Sequence, residues 1–248
     1  MKLDIKIMAV KARRAMVAQL LSETKLPADI VVYDDRGEKG GGDAWYTAKK
    51  AWLSPLEKGA THRLVIQDDC EICDNFIEIC KKIITVFPDV IWCFHGGTWI
   101  DKSVRKNNSP YVNIKGCNTC GPAIILPVQH IKPMIEWSDG ILGETYKHDD
   151  CRIGLYALCN DVKVFTTIPS LTTHIGFQSF IRGHTSRGRV CKLWIGKDIG
   201  VQDWDNTEYG ETPLRTNNTW IDPEKEPEKQ KRILKMIAEA KERLRNGR

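Results

Sequence analysis

Apolar positions along this chain come in two kinds of segment that alternate. Short continuous runs of strand length are followed by longer stretches with apolar residues at helical spacing. Ile5 to Val10 is a β-rich run, and Lys11 to Thr24 follows with Ala15, Val17, Ala18, Leu20 and Leu21 on a partly apolar face. Ile30 to Tyr33, Leu64 to Ile66 and Val90 to Phe94 are further runs that read as buried strands. Asp43 is placed to cap a helix through Trp52, with Trp45, Ala48 and Trp52 on one side. Asp74 is placed to cap a second helix over Phe76, Ile77, Ile79, Cys80, Ile83 and Ile84, ended by Pro88. The order through residue 94 is β-α-β-α-β-α-β. It predicts an α/β fold, a mostly parallel central sheet with helices on both faces.

Beyond residue 100 the pattern is less regular. Tyr111 to Ile114 and Ala123 to Leu126 predict strands, Val128 to Trp137 a helix, and Cys151 to Cys159 a buried helix. Val162 to Phe165 reads as the last strand, with His174 on the loop after Pro169. From Asp222 a separate unit begins. Asp222 and Pro223 form a helix start, and Ile233, Leu234, Met236, Ile237, Ala240 and Leu244 stripe a highly charged amphipathic helix.

Length and composition narrow the class. The 248 residues suit one large domain with an appendage or two small domains. Hydrophobic content of 42% and charged content of 28% are those of an ordinary globular protein. There is no signal-type apolar segment, and no run approaches the ~20 residues of a spanning helix, so a cytoplasmic protein without a membrane partner is expected. Nine cysteines then imply reduced thiols. Cys70/Cys73 and Cys117/Cys120 have C-x-x-C spacing, which permits a structural zinc, although buried thiols are the default. A net charge of +5 permits a polyanionic partner without requiring one.

Chemistry gathers where apolar runs end in acids. Leu64-Val65-Ile66-Gln67 leads into Asp68-Asp69, with Glu71 two positions on; Ile30 to Tyr33 leads into Asp34-Asp35. Ligands of open α/β sheets bind outside the carboxyl ends of strands. Clustered carboxylates there repel unless a cation or hydrogen-bonding ligand offsets them. The competing readings are an exposed acidic turn at Asp68-Asp69 and an Asx-type turn at Asp34-Asp35 before Gly37. Gly40-Gly41-Gly42 lacks both the Walker ending and the G-x-G-x-x-G spacing, so it reads as a hinge more than a phosphate loop. Lys102, Arg105 and Lys106, and the basic stretch Arg182 to Lys197, offer phosphate contacts or simply solvated charge.

Two strand–acid junctions followed by a late His174 in Pro169-Ser170-Leu171-Thr172-Thr173-His174-Ile175-Gly176 resemble glycosyltransferases of the GT-A fold. The Gly40-to-Trp45 loop and the His-Ile-Gly ending are similar to small phage-encoded, family-2-like members. The resemblance covers about residues 5 to 180. It departs from a strict D-x-D, having Gln67-Asp68-Asp69 and only a D-x-E through Glu71. It implies a Rossmann-like catalytic domain over residues 1–200, with a nucleotide-sugar half to residue 100, an acceptor half beyond it, and residues 201–248 as an extension. It also implies a nucleotide-sugar donor and Mn²⁺ or Mg²⁺ as Lewis acid on its diphosphate. Asp69 and His174 would be the metal ligands, His174 favouring Mn²⁺. Asp68 would take the ribose or a metal-bound water, and Ala9, Val10, Lys11, Asp34 and Asp35 would line the base and ribose pocket. Asp149 and Asp150 resemble acids that precede an acceptor-side helix. Asp149 is favoured as the base, although helix capping explains either residue equally well.

The acceptor implied is a hydroxymethylated base in phage DNA, in a host cytoplasm, flipped out of its duplex. A saccharide, lipid-linked or protein acceptor stays open. Nucleotidyl transfer also uses a parallel sheet and carboxylate-held metals. It favours a Gly-rich basic loop after the first strand, where Lys11, Arg13 and Arg14 supply charge but no glycine. The non-enzymatic alternative is a zinc-supported nucleic-acid-binding module on the two C-x-x-C pairs.

Overall fold

The fold was taken from a computed structural model that describes residues 1–96, 100, 102–116, 121–143, 146–175, 180, 191–213 and 227–245. Its strands are β1 (Leu3–Ala9), β2 (Val31–Tyr33), β3 (His62–Gln67), β4 (Cys70–Ile72), β5 (Ile91–Cys93), β6 (Tyr111–Asn113), β7 (Ala123–Pro127), β8 (Val164–Thr167), β9 (Thr172–His174) and β10 (Gly210–Glu211). Its helices are α1 (Arg14–Thr24), α2 (Ala44–Leu53), α3 (Phe76–Val86), α4 (Val128–Leu142), α5 (Asp149–Cys159) and α6 (Pro227–Arg245).

Eight strands form one sheet in the order β10-β6-β8-β5-β7-β3-β1-β2. The sheet is mixed. β1 pairs in parallel with both β2 and β3, and β5 with β8, but β7 inserts antiparallel between β3 and β5. β6 is antiparallel to β8, and β10 runs parallel to β6. A separate two-stranded sheet joins β4 to β9. The protein is therefore α/β with a large central sheet flanked by helices. Two local expectations change. His174 lies on a strand rather than a loop, and Val164–Thr167 is followed by two further strands.

Alternation along the strands sorts side chains into two cores. Ile5, Ile7, Leu64 and Ile66 pack with Leu20 of α1 and with Phe76, Cys80, Ile83 and Ile84 of α3. Met8, Val65, Ile124 and Leu126 pack on the opposite face with Trp45, Ala48 and Trp52 of α2, Met134 of α4 and Ile153 of α5. The layers are helix, sheet, helix. Asp43 caps α2 as expected, accepting from the Tyr46 N–H at 3.0 Å. Asp74 does not cap α3. That position falls to Asn75, in the left-handed region at φ 58° and without a side-chain cap bond, while the Asp74 N–H donates to the Lys197 carbonyl. A third cluster seats Ile233 and Ile237 of α6 against Leu142, Tyr146, Cys151, Leu155 and Leu158. The proposed helix start at Asp222-Pro223 lies outside the described residues. No helix among the described residues is long and apolar enough to cross a membrane.

Candidate functional site

β1 is where the connections reverse. From β1 the chain passes through α1 to β2 on one side, then through α2 to β3 on the other. The two helices pack on opposite faces, and the carboxyl ends of β1 and β3 are where an open sheet of this topology has its crevice. The register places Met8 opposite Gln67, so both strands end together. Val10 and Arg13 follow one, and Asp68 and Asp69 follow the other.

Asp68 ties the two strand ends together. One carboxylate oxygen accepts the Val10 N–H at 2.8 Å and the other accepts Arg13 Nη1 at 2.7 Å. Burial pushes its pKa up to about 6, although Arg13 pulls the other way. Arg13 also stands 3.0 Å from Asp69 and 4.7 Å above the Phe180 ring. Burial works against the guanidinium's charge, but Asp69 and Asp68 outweigh it and hold the group more firmly protonated.

Backbone pairing delivers His174 to Asp69. Cys70 lies opposite His174 in the β4–β9 ladder, and the Ile175 N–H donates to the Asp69 carbonyl at 3.0 Å. His174 Nδ1 then stands 3.5 Å from Asp69 Oδ1. Burial would raise the pKa of Asp69, but His174 and Arg13 hold it down at about 2, so the carboxylate is ionised at neutral pH. Neighbouring ligands on a cation with bonds of ~2.1 Å stand about 3.0 Å apart, so this pair fits one edge of a coordination sphere after a small inward shift. Among the described residues no group of three His, Cys, Asp or Glu side chains is assembled for a metal. Ligand oxygens and water would supply the other positions. His95, after β5, is buried with its ring edge-on to His174 at 5.3 Å between centroids.

Asp34 occupies the end of β2, and its N–H donates to the Ala9 carbonyl at 2.8 Å. Its carboxylate accepts from Arg36 at 2.7 Å and from the Thr47 hydroxyl at 2.8 Å. Burial opposes its charge, yet the Arg36 bonds lower its pKa to about 2. Arg36 continues to Asp43 at 2.8 Å and lies 3.9 Å over the Tyr46 ring. Gly40 has φ +70°, and a Cβ there would stand 2.8 Å from an Asp34 oxygen and 3.1 Å from Val10. The triple-glycine loop therefore lies across the ends of β1 and β2. Asp35 turns away from the crevice, exposed and bonded to Tyr46 at 3.0 Å and Lys50 at 2.8 Å.

Asp149 opens α5 and is buried. Gln67, the residue before the acid pair, reaches it from β3 at 3.3 Å. Burial and the neighbouring charge of Asp150 push Asp149 up to about 7. The Asp150 carboxylate folds back to accept the Cys151 N–H at 2.7 Å. The crevice thus gathers Ala9, Val10, Asp34, Asp68, Asp69 and His174, and reaches Asp149 through Gln67. Lys11 opens the 3-10 turn above β1, half-buried. The sequence reading did not place Arg13 or His95 in the site. Arg13 was visible only as one charge in a basic turn, and His95 only as a strand end.

Other candidates are bound up elsewhere. Cys70, Cys73 and Cys80 are buried in the first core, where burial pushes Cys73 up to about 12 and disfavours the thiolate that zinc needs. Cys117 and Cys120 lie outside the described residues, as do residues 182–190 of the basic stretch. Arg105 donates to the Ser109 carbonyl at 2.9 Å, Lys106 pairs with Glu208 at 3.4 Å, and Lys197 pairs with Glu23 at 2.6 Å. Compared with known proteins, the chain matches no family model and no curated protein.

Proposed function

We propose that this protein is a GT-A-type glycosyltransferase that moves a sugar from a nucleotide-sugar donor to an acceptor hydroxyl with the help of Mn²⁺ or Mg²⁺. One observation carries the reading. A strand pairing between distant parts of the chain sets His174 against Asp69, beside Arg13 and at the crevice where parallel strands diverge. Asp69 and His174 would hold the cation, which when bound neutralises charge growing on the diphosphate leaving group. Arg13 adds a fixed positive charge at the same corner. Asp68 spends both oxygens on Val10 and Arg13, so its role is to position them. The base and ribose would lie against Ala9, Val10 and Asp34.

In the transfer, the acceptor oxygen bonds to the anomeric carbon as the bond from that carbon to the diphosphate breaks. The electron pair leaves on the phosphate oxygen, and the hydroxyl proton passes to Asp149. A carboxylate poised near pH 7 suits a general base. Only the ionised form can accept the proton, so turnover should rise with pH through about 7 and level off above it. The check is Mn²⁺-dependent release of nucleoside diphosphate from nucleotide sugars, measured between about pH 5.5 and 9. Asp149→Asn should cut the rate by about 100-fold or more and remove the rise. A flat wild-type profile across that range would take Asp149 out of the role.

A further inference from the structure

Arg13 enters the acid corner from the turn after β1. Its Nη1 bridges two carboxylates, 2.7 Å from Asp68 Oδ1 and 3.0 Å from Asp69 Oδ2. The bridge is sheltered. Side-chain exposure is 12% for Arg13, 6% for Asp68 and 17% for Asp69, and the guanidinium lies over the Phe180 ring. Next in the chain, Arg14 is 61% exposed and 3.6 Å from Glu38, a surface pair that water and salt screen. The charge of Arg13 is felt more strongly because little water surrounds it.

The two oxygens of Asp69 face different groups. Oδ2 faces Arg13, and Oδ1 faces His174 Nδ1 at 3.5 Å. A cation held between Asp69 and His174 would sit one carboxylate away from the guanidinium, and like charges at that range repel. Asp68 and Asp69 already have one positive charge set against them, so a divalent cation would overcompensate the corner by one charge. A diphosphate brings negative charge and is drawn to both positive groups. Asp68 keeps Arg13 in place when Asp69 turns to a cation, because its other oxygen is tied to the Val10 N–H at 2.8 Å.

From this geometry we propose that Arg13 is a built-in counter-cation that makes a divalent cation and a diphosphate bind as one unit, each weakly alone and both tightly together. Such coupling is reciprocal, so the cation tightens the diphosphate by the factor with which the diphosphate tightens the cation. The cation is then not stored ahead of the donor, and it leaves with the diphosphate product. The inference rests on the cation corner proposed above and adds how that corner is controlled.

The test is isothermal titration calorimetry on the full chain with two ligands, Mn²⁺ alone and the preformed Mn²⁺–pyrophosphate complex. Linked sites commonly couple by about 5–150-fold, so the wild type should bind the complex about tenfold or more tightly than Mn²⁺ alone. Arg13→Gln should move the two affinities in opposite directions, with Mn²⁺ alone about tenfold tighter and the complex about tenfold weaker. Arg13→Lys keeps the charge and should stay close to the wild type in both. Loss of both affinities in Arg13→Gln, or no change in either, would overturn the inference. Should that variant fail to fold, equal wild-type affinity for the two ligands would still overturn it. A wild type that binds neither ligand would sink the transferase reading as well. A wild type that binds the complex tightly, with no opposite movement in Arg13→Gln, would sink the counter-cation role alone.

Discussion

Asp69→Asn should abolish cation-dependent turnover while leaving the chain folded. Partners one shell away from a metal already cost about 10–100-fold when removed, so loss of a carboxylate ligand should cost at least about 100-fold. Asparagine keeps the shape and one acceptor oxygen but removes the charge that Arg13 and His174 both face. Arg13 keeps Asp68 as a partner, which is why the corner should hold together. The charge matters for stability at every pH above the ordinary carboxylate range. The folded pKa of Asp69, about 2, lies below its ordinary value, so ionisation favours the folded state. That contribution is complete above the unfolded pKa of about 4 and is lost as pH falls toward 2. At pH 7 both should melt cooperatively, the variant at a lower temperature because it lacks this contribution. A variant with full cation-dependent turnover would remove Asp69 from the site.

Arg63→Met should be among the most destabilising single changes in the protein, by about 3–5 kcal/mol. Arg63 lies on β3 with 0% exposure and pairs with the equally buried Asp4 of β1. Its other nitrogens donate to the carbonyls of Ala51, Trp52, Ser54 and Pro55, at 3.1, 2.7, 2.7 and 2.8 Å. These are the last turn of α2 and the residues after it, where helix carbonyls have no partner of their own. Removing the guanidinium leaves the buried Asp4 charge with only the long contacts to Lys6 at 3.9 Å and the Glu57 N–H at 3.4 Å, and releases the end of α2. A chain of this size loses roughly 2–4 °C per kcal/mol, so the melting temperature should fall by about 6–20 °C. Adding Asp4→Leu should recover part of the loss, because it removes the stranded charge without replacing the helix cap. A fall of less than about 2 °C for Arg63→Met would show that the pair and cap contribute little.

The alternation of short apolar runs with helical stripes was enough to read the β-α order and the flanking layers. Strand direction was not legible. Ala123 to Leu126 is buried on both faces in either orientation, so nothing local tells that β7 runs antiparallel between β3 and β5. β4 and β9 span three residues each, too short for a period, and their pairing joins residues about a hundred positions apart. That pairing is nonetheless what seats His174. The acid pairs stood out because charge follows apolar runs, but the pattern could not divide the labour within a pair. Asp34 is buried against Arg36 and Thr47 while Asp35 points to solvent, and Asp68 bridges two strands while Asp69 faces the histidine. Arg13 carries no local signal, because both its acid partners lie far along the chain, in the turn after β3.

The central claim is that Asp69, His174 and Arg13 form a diphosphate–cation corner. A thermal-shift series with nucleoside diphosphates and nucleotide sugars, each with and without Mn²⁺, tests it most directly. A ligand that binds only the folded state raises the melting temperature, by an amount equivalent to about 2.7 kcal/mol at a hundred times its Kd. The account predicts stabilisation by at least one nucleoside diphosphate that requires Mn²⁺ and disappears in Asp69→Asn. No stabilisation by any nucleoside diphosphate, with or without Mn²⁺, would contradict it.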